Sequence, residues 1–329
     1  MSAYDIIVAN LEHDNPPRPG LTFSGDRIND MVTAGVTSSK TYEPKRWTEG
    51  NIEYYDDAWG NVWYRDVDGS AGGEVYKPAI EDWSELAELQ VPDFDDPDRY
   101  VRAAEVFGKN DGKFKAGFVP GWVFATSRYL RKMEIYFMDL IEYREEIDQL
   151  HNLVTDVYVK VIHRFADAGV DAIFYCEDLG TQDRALIGPE MWCDIFKPHY
   201  ERLVGAAHER DVRVLMHSCG YNWELLDDLI EVGIDCFQFD QPEAYDMPAL
   251  AEKLREARVG LWSPLDIQCV LPTGDRSCIE NEAHKMVDLF NGGLILKNYG
   301  DLQGIGVEPE WDMWGYEAIL DACGLGPAQ

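Results

Sequence analysis

The chain has 329 residues, 46% of them hydrophobic, and carries a formal net charge of −32 at pH 7. That length and apolar share suit a folded domain with a large core and exclude intrinsic disorder. The charge repels phosphate backbones and anionic lipid surfaces, which excludes nucleic acid as a partner. No apolar run reaches the ~18–20 residues of a membrane span, so no membrane association is expected. The opening residues, Met1-Ser2-Ala3-Tyr4-Asp5, lack the basic start and apolar stretch of a secretion signal. Seven cysteines form an odd set with no close-paired framework, which points to free thiols in a reducing cytoplasm.

In chain order, the first 110 residues are polar and show little sustained periodicity. Within them, Ile52 to Asp66 reads as a hairpin, with aromatic residues on both sides of a Gly60-Asn61 turn. Asp96-Pro97 is a helix start leading through Tyr100 and Ala104. From about residue 113, short apolar runs alternate with longer amphipathic stretches. The spacing predicts strands at Phe114–Val119, Asp171–Tyr175, Val212–Met216, Cys236–Phe239, Val259–Trp262 and Leu294–Leu296. Helical periodicity falls between them, over Met133–Ile141, Ile147–Ala168, Pro189–Arg210, Trp223–Val232, Asp246–Arg258 and Cys278–Phe290.

Buried strands alternating with helices imply parallel pairing through right-handed crossovers. Six such units are visible, and two more have room in the N-terminal third. The expected fold is a (β/α)₈ TIM barrel in one domain spanning 1–329. Residues 1–110 form an N-terminal elaboration containing the hairpin, and 111–329 form the main part of the barrel. An open doubly wound sheet is the less favoured arrangement. No Gly-x-Gly-x-x-Gly follows a strand, because Gly300, Gly304 and Gly306 come in the wrong order near the C-terminus.

In a barrel, chemistry collects where the strands end at their C-terminal side. The predicted strands here run into Glu177 and Asp178, into His217-Ser218-Cys219, into Asp240, into Asp266 and Gln268, and into Lys297 and Asn298. In extended backbone, residues i and i+2 share a face, so the His217 imidazole and the Cys219 thiolate can meet one ion. Nitrogen and sulfur donors suit zinc, and Glu177 on the preceding strand offers an oxygen ligand. The alternative for the pair is a satisfied histidine beside a buried thiol. Glu177 and Asp178 are adjacent carboxylates suited to acid–base work, against a helix-capping role. Asp266 is a third catalytic candidate, or the cap of the turn before Val270. The aromatic cluster Trp47, Tyr54, Tyr55, Trp59, Trp63 and Tyr64 either holds a flat ring or packs the hairpin.

Several ordered motifs resemble the uroporphyrinogen-decarboxylase-like superfamily. They are Gly169 to Gln182 (GVDAIFYCEDLGTQ), Ile187-Gly188-Pro189-Glu190-Met191-Trp192, Phe196-Lys197-Pro198 and Val214 to Gly220 (VLMHSCG). Val232-Gly233-Ile234-Asp235, Gln241-Pro242-Glu243, Leu265-Asp266-Ile267-Gln268 and Gly292-Gly293 follow in order, and Asp57-Ala58-Trp59-Gly60 matches more loosely. The resemblance implies a (β/α)₈ barrel with one of two activities. One is metal-free decarboxylation of uroporphyrinogen. The other is methyl transfer to or from a corrinoid carried by a partner protein, with zinc activating a thiol or a methyl donor. The decarboxylases have an N-terminal arginine-rich segment, whereas Arg18 and Arg27 stand alone here.

The resemblance therefore favours the methyltransferase branch. It implies His217 and Cys219 as zinc ligands and a small methoxy- or methylamine-type compound as donor or acceptor. Where that branch has a further cysteine after Gly292-Gly293, this chain has Lys297-Asn298-Tyr299-Gly300. The third ligand then falls to Glu177, with Cys269 and Cys236 as substitutes. A metal-free tetrapyrrole decarboxylase is the alternative enzyme, and a binding protein on a barrel that has lost its chemistry is the non-catalytic alternative. The oligomeric state is left open, with a homodimer among the options.

Overall fold

Alternation of side chains along a strand lets one sheet serve two cores, and this chain uses it throughout the barrel. The computed structural model describes residues 1–68 and 72–326. In chain order the strands are β1 (Gly20–Thr22), β2 (Met31–Gly35), β3 (Arg46–Glu49), β4 (Ile52–Asp56), β5 (Val62–Asp66) and β6 (Glu74–Lys77). They continue with β7 (Phe114–Phe118), β8 (Ala172–Cys176), β9 (Arg213–His217), β10 (Cys236–Gln238), β11 (Gly260–Ser263) and β12 (Leu294–Lys297). Eight of them pair in parallel in the order β1-β12-β11-β10-β9-β8-β7-β2, a nearly closed (β/α)₈ barrel. The six predicted strands are β7 to β12. The two that the N-terminal third had room for are β1 and β2, so the first 35 residues build barrel as well as elaboration.

Outward-facing residues such as Ile173, Tyr175, Val214, Met216, Phe237 and Leu261 pack beneath the surrounding helices in the main core. Inward-facing Phe114, Ala116, Ala172, Leu215, Cys236 and Ile295 fill a separate interior core. That interior is sealed from below by the helix Ala3–Leu11, whose Ile7 and Leu11 belong to the same cluster. Ser2 and Asp5 form a capping box that fixes the helix start. The sequence reading missed this helix, because nine residues give too few turns for periodicity to show.

β1 and β2 are the ends of the ladder, and a side-chain device bridges them. Arg18 binds Asp30 bidentately at 2.6 and 2.9 Å, while Asp30 also accepts the Leu21 amide at 2.8 Å. Arg27 pairs with Asp312 at 2.6 Å. Both N-terminal arginines are thus structural.

The predicted hairpin is β4 and β5, joined through Asp57 and Gly60. It is the centre of a four-stranded antiparallel sheet, β3-β4-β5-β6, which docks on the barrel where Trp63 meets Tyr129 edge-on at 4.7 Å. All seven cysteines are free. Among the described residues no helix is long and apolar enough to cross a membrane.

Candidate metal centre

His217 is the last residue of β9 and faces inward, two positions beyond Leu215. Register pairs it with Cys176 on β8 and Gln238 on β10. Its Nδ1 lies 2.7 Å from Gln238 Oε1, and Gln238 Nε2 lies 2.7 Å from Asp240 Oδ1. A carboxylate only accepts, so the Gln238 amide must donate to Asp240 and turn its carbonyl to His217. The imidazole then donates from Nδ1, which leaves the Nε2 lone pair free to accept a proton or a metal ion. Lys297 Nζ, 3.4 Å from Asp240 Oδ1, anchors the far end of the relay.

Cys219 Sγ lies 3.3 Å and Asp178 Oδ1 3.4 Å from that Nε2. The Cys219 amide donates to Asp178 Oδ1 at 3.2 Å. Among the described residues, Asp178, His217 and Cys219 are the group whose ligand atoms lie within 4.8 Å of one another. Three lone pairs facing each other this closely need a cation between them, either a proton or a metal ion. Bonds of about 2.0–2.3 Å to a tetrahedral zinc give ligand separations of about 3.4–3.6 Å. The two separations from Nε2, and the N, O and S donor set, fit that ion. The His217 side chain is 11% exposed and that of Asp178 44%, so the group is closed below and open toward the barrel mouth.

The titration directions describe the same trap for positive charge. Burial alone would push His217 down, but its contacts with Asp178 and Cys219 outweigh burial and hold it well above the usual imidazole range. Burial would raise Asp178, yet His217, the Arg128 guanidinium and the Cys219 amide bring its carboxyl far below the ordinary carboxylate range.

A model of the uroporphyrinogen decarboxylase (URO-D) family matches residues 66–313. The chain belongs to that family. Among solved structures it is similar to a methyltransferase from Methanosarcina mazei, with a TM-score of 0.58 and 13% identity over 77% of this chain and 72% of that one. It is also similar to a B12-independent methionine synthase from Shewanella sp. W3-18-1, with a TM-score of 0.46 and 12% identity over 69% and 66% of the two chains. A search of curated proteins by sequence finds no match. At such identities the structural likeness is one of fold.

The barrel brings together two of the three residues expected from sequence as a candidate ligand set, and Asp178 stands where Glu177 was expected. Glu177 follows Cys176 and precedes Asp178, so alternation turns it outward, away from His217 and Cys219. Its carboxylate is fully buried beneath the helices, accepting the Ala125 amide at 2.9 Å and the Tyr200 hydroxyl. Burial pushes it up to about 7, against the lowering effect of those two hydrogen bonds. The carboxylate that faces His217 and Cys219 is that of Asp178 instead.

Asp266 also lies outside the centre. Its Oδ1 accepts the amides of Gln268 and Cys269 at 2.8 and 2.7 Å, and its Oδ2 accepts that of Glu243 at 3.0 Å. It shapes the loop after β11. Of the two substitute cysteines, Cys236 sits in the interior core two residues below Gln238, and Cys269 is exposed beside Asp266.

The loop geometry explains the Ser218-Cys219-Gly220 run. Ser218 Oγ faces outward and accepts the Leu179 amide at 3.0 Å and Asn222 Nδ2 at 2.9 Å, lacing the loops after β8 and β9. Gly220 has φ +78°, and a Cβ there would lie 2.5 Å from the Thr181 carbonyl oxygen, so only glycine permits this approach. Two contributors were missed from sequence. Gln238 could have been found by counting two back from Asp240 on the inward face. Arg128, 3.5 Å from Asp178 Oδ2, lies on the helix Val123–Arg131, which the periodicity did not reveal.

Proposed function

We propose that this chain is an enzyme that transfers a methyl group between a small methoxy- or methylamine-type compound and a corrinoid protein docked at the barrel mouth. Asp178, His217 and Cys219 would hold zinc. The observation that supports this reading is the convergence of an oxygen, a nitrogen and a sulfur donor at one open mouth, with the nitrogen's tautomer set by Gln238 and Asp240. Bound there, zinc would act as a Lewis acid on the methylated heteroatom or on an acceptor thiol.

The chain's own groups do the rest. Gln238 fixes the imidazole so that Nε2 points to the mouth. Arg128 braces Asp178 from behind through Oδ2 and, at 3.3 Å, through its backbone carbonyl. Glu177, turned away beneath the helices, and Asp178, held ionised, are not placed to protonate a leaving group. Arg128 and Lys297, the cations beside the centre, are each paired with a carboxylate, so neither is free to hold the carboxylates of a tetrapyrrole.

The test is zinc content together with methyl transfer from methoxy and methylamine donors to reduced cobalamin. Purified protein should carry one zinc, and Cys219→Ser should lose the zinc and at least 100-fold in transfer. Full activity in zinc-free protein, or carbon dioxide release from uroporphyrinogen, would overturn the proposal.

A further inference from the structure

Beside the metal centre, the antiparallel sheet and the barrel enclose a second feature. A cavity of about 430 Å³ lies between them, within the ~300–1,000 Å³ usual for small-ligand sites. Its walls include Tyr42, Trp59, Trp63, Phe94 and Tyr129, which come from four separate segments. Two charged side chains line it, Asp57 and Arg99. Arg99 is neutralised by Asp93 at 2.9 Å and lies over the Phe94 ring at 4.5 Å.

Asp57 is different. Its Oδ1 accepts the amides of Trp59 and Asn61 at 2.9 and 3.1 Å, and its Oδ2 accepts Asn61 Nδ2 and Trp63 Nε1 at 2.9 and 2.7 Å. All four donors are neutral. They fix the carboxylate without cancelling its charge, and among the described residues no ion pair relieves it. Nor does any cation of the described chain cover the faces of Tyr42, Trp59 or Trp63. Several aromatic faces around an uncompensated carboxylate form the environment that binds alkylated ammonium ions, which are too apolar for water and too charged for a hydrocarbon pocket. The strongly acidic chain adds a long-range pull of the same sign.

The cavity also has a route to the chemistry. The Tyr129 hydroxyl accepts from Arg128 at 3.0 Å, and that guanidinium lies 3.5 Å from Asp178 Oδ2. One residue therefore separates the aromatic wall from the metal ligands.

We propose that this cavity binds a methylated ammonium compound, with Asp57 as counter-ion and the uncovered rings of Tyr42, Trp59 and Trp63 as the aromatic cage; the Tyr129 ring is already occupied by Arg128 at 4.9 Å. The ligand's role as methyl donor rests on the function proposed above, but its binding does not. Isothermal titration of the full chain with choline, and with its uncharged carbon isostere 3,3-dimethylbutan-1-ol, separates charge from shape. Choline should bind one to one, at least ten-fold tighter than the isostere. Asp57→Asn should erase that preference. Because this change could disturb the hairpin, Tyr42→Leu, which leaves the Asp57 hydrogen bonds intact, should weaken choline several-fold and spare the isostere. Equal affinity for the two compounds, or no binding of choline, would overturn the proposal. Choline binding without zinc or methyl transfer would preserve the pocket and sink the catalytic reading instead, so the two failures are distinct.

Discussion

At the floor of the barrel the inward positions of β8, β9, β10 and β12 are Ala172, Leu215, Cys236 and Ile295, closed from below by Ile7 and Leu11. Two residues further along β9, β10 and β12, the same face presents His217, Gln238 and Lys297. On β8 the change comes four and six residues on, at Cys176 and Asp178. One step of two residues is only about 6.7 Å. Across it the sheet passes from an apolar packed layer to a polar layer that gathers positive charge, with no change in backbone geometry. Stability and chemistry are thus separated along the strand axis, and each can be perturbed with little effect on the other.

Damage to the floor should carry the largest energetic cost. Ile7→Ala opens a void beneath Gly20 and Ile295 and should cost about 4 kcal/mol in chemical denaturation. Zinc content per folded chain should stay unchanged. Loss of zinc in this variant would show that floor and mouth are not separable.

Next comes the outward side of the β8 end. Glu177 holds its proton to about pH 7 in the native state, whereas an unfolded glutamic acid releases it near pH 4.5. The native state is favoured by this group below about pH 4.5, and the advantage fades as the pH rises through the window up to 7. The total is at most about 3 kcal/mol for two and a half pH units. Denaturation of metal-free protein should therefore show Glu177→Gln gaining stability relative to the parent between pH 4.5 and 8, by up to that amount. A difference independent of pH would mean that Glu177 is ionised in the fold.

The smallest effect is expected in the mouth's supporting layer. Gln238→Leu removes the acceptor for His217 Nδ1 and should weaken zinc about 10–100-fold in chelator competition, the usual cost of losing such a partner. The melting temperature of the metal-free protein should hardly change. Unaltered zinc affinity would remove Gln238 from the site.

Much of this division was legible in the sequence, for physical reasons that differ by region. The strands β8 to β12 are buried or half-buried on both faces, and β7 is exposed only at its last residue, Phe118, so they appear as short apolar runs. The polar residues that end them appear as abrupt breaks. His217 and Cys219 were readable because i and i+2 share a face. The same rule, applied to Glu177 and Asp178, would have shown that only one can face the mouth. Which one depends on whether the inward register starts at Ala172 or Ile173, and a strand apolar on both faces does not encode that. The capping role of Asp266 was weighed as an alternative, and its three backbone amides agree with that reading. The plug helix and the strands β1 and β2 are too short for periodicity, and the Arg18–Asp30 pair that bridges β1 and β2 joins residues with no sequence motif.

X-ray absorption at the zinc edge tests the central claim most directly, because it counts ligands by element. Zinc-loaded protein should show one sulfur at about 2.3 Å and lighter nitrogen or oxygen neighbours at about 2.0–2.2 Å, with the sulfur shell gone in Cys219→Ser. A shell of oxygen and nitrogen alone, or a sulfur shell that survives that substitution, would contradict the assignment of Asp178, His217 and Cys219 as the metal centre.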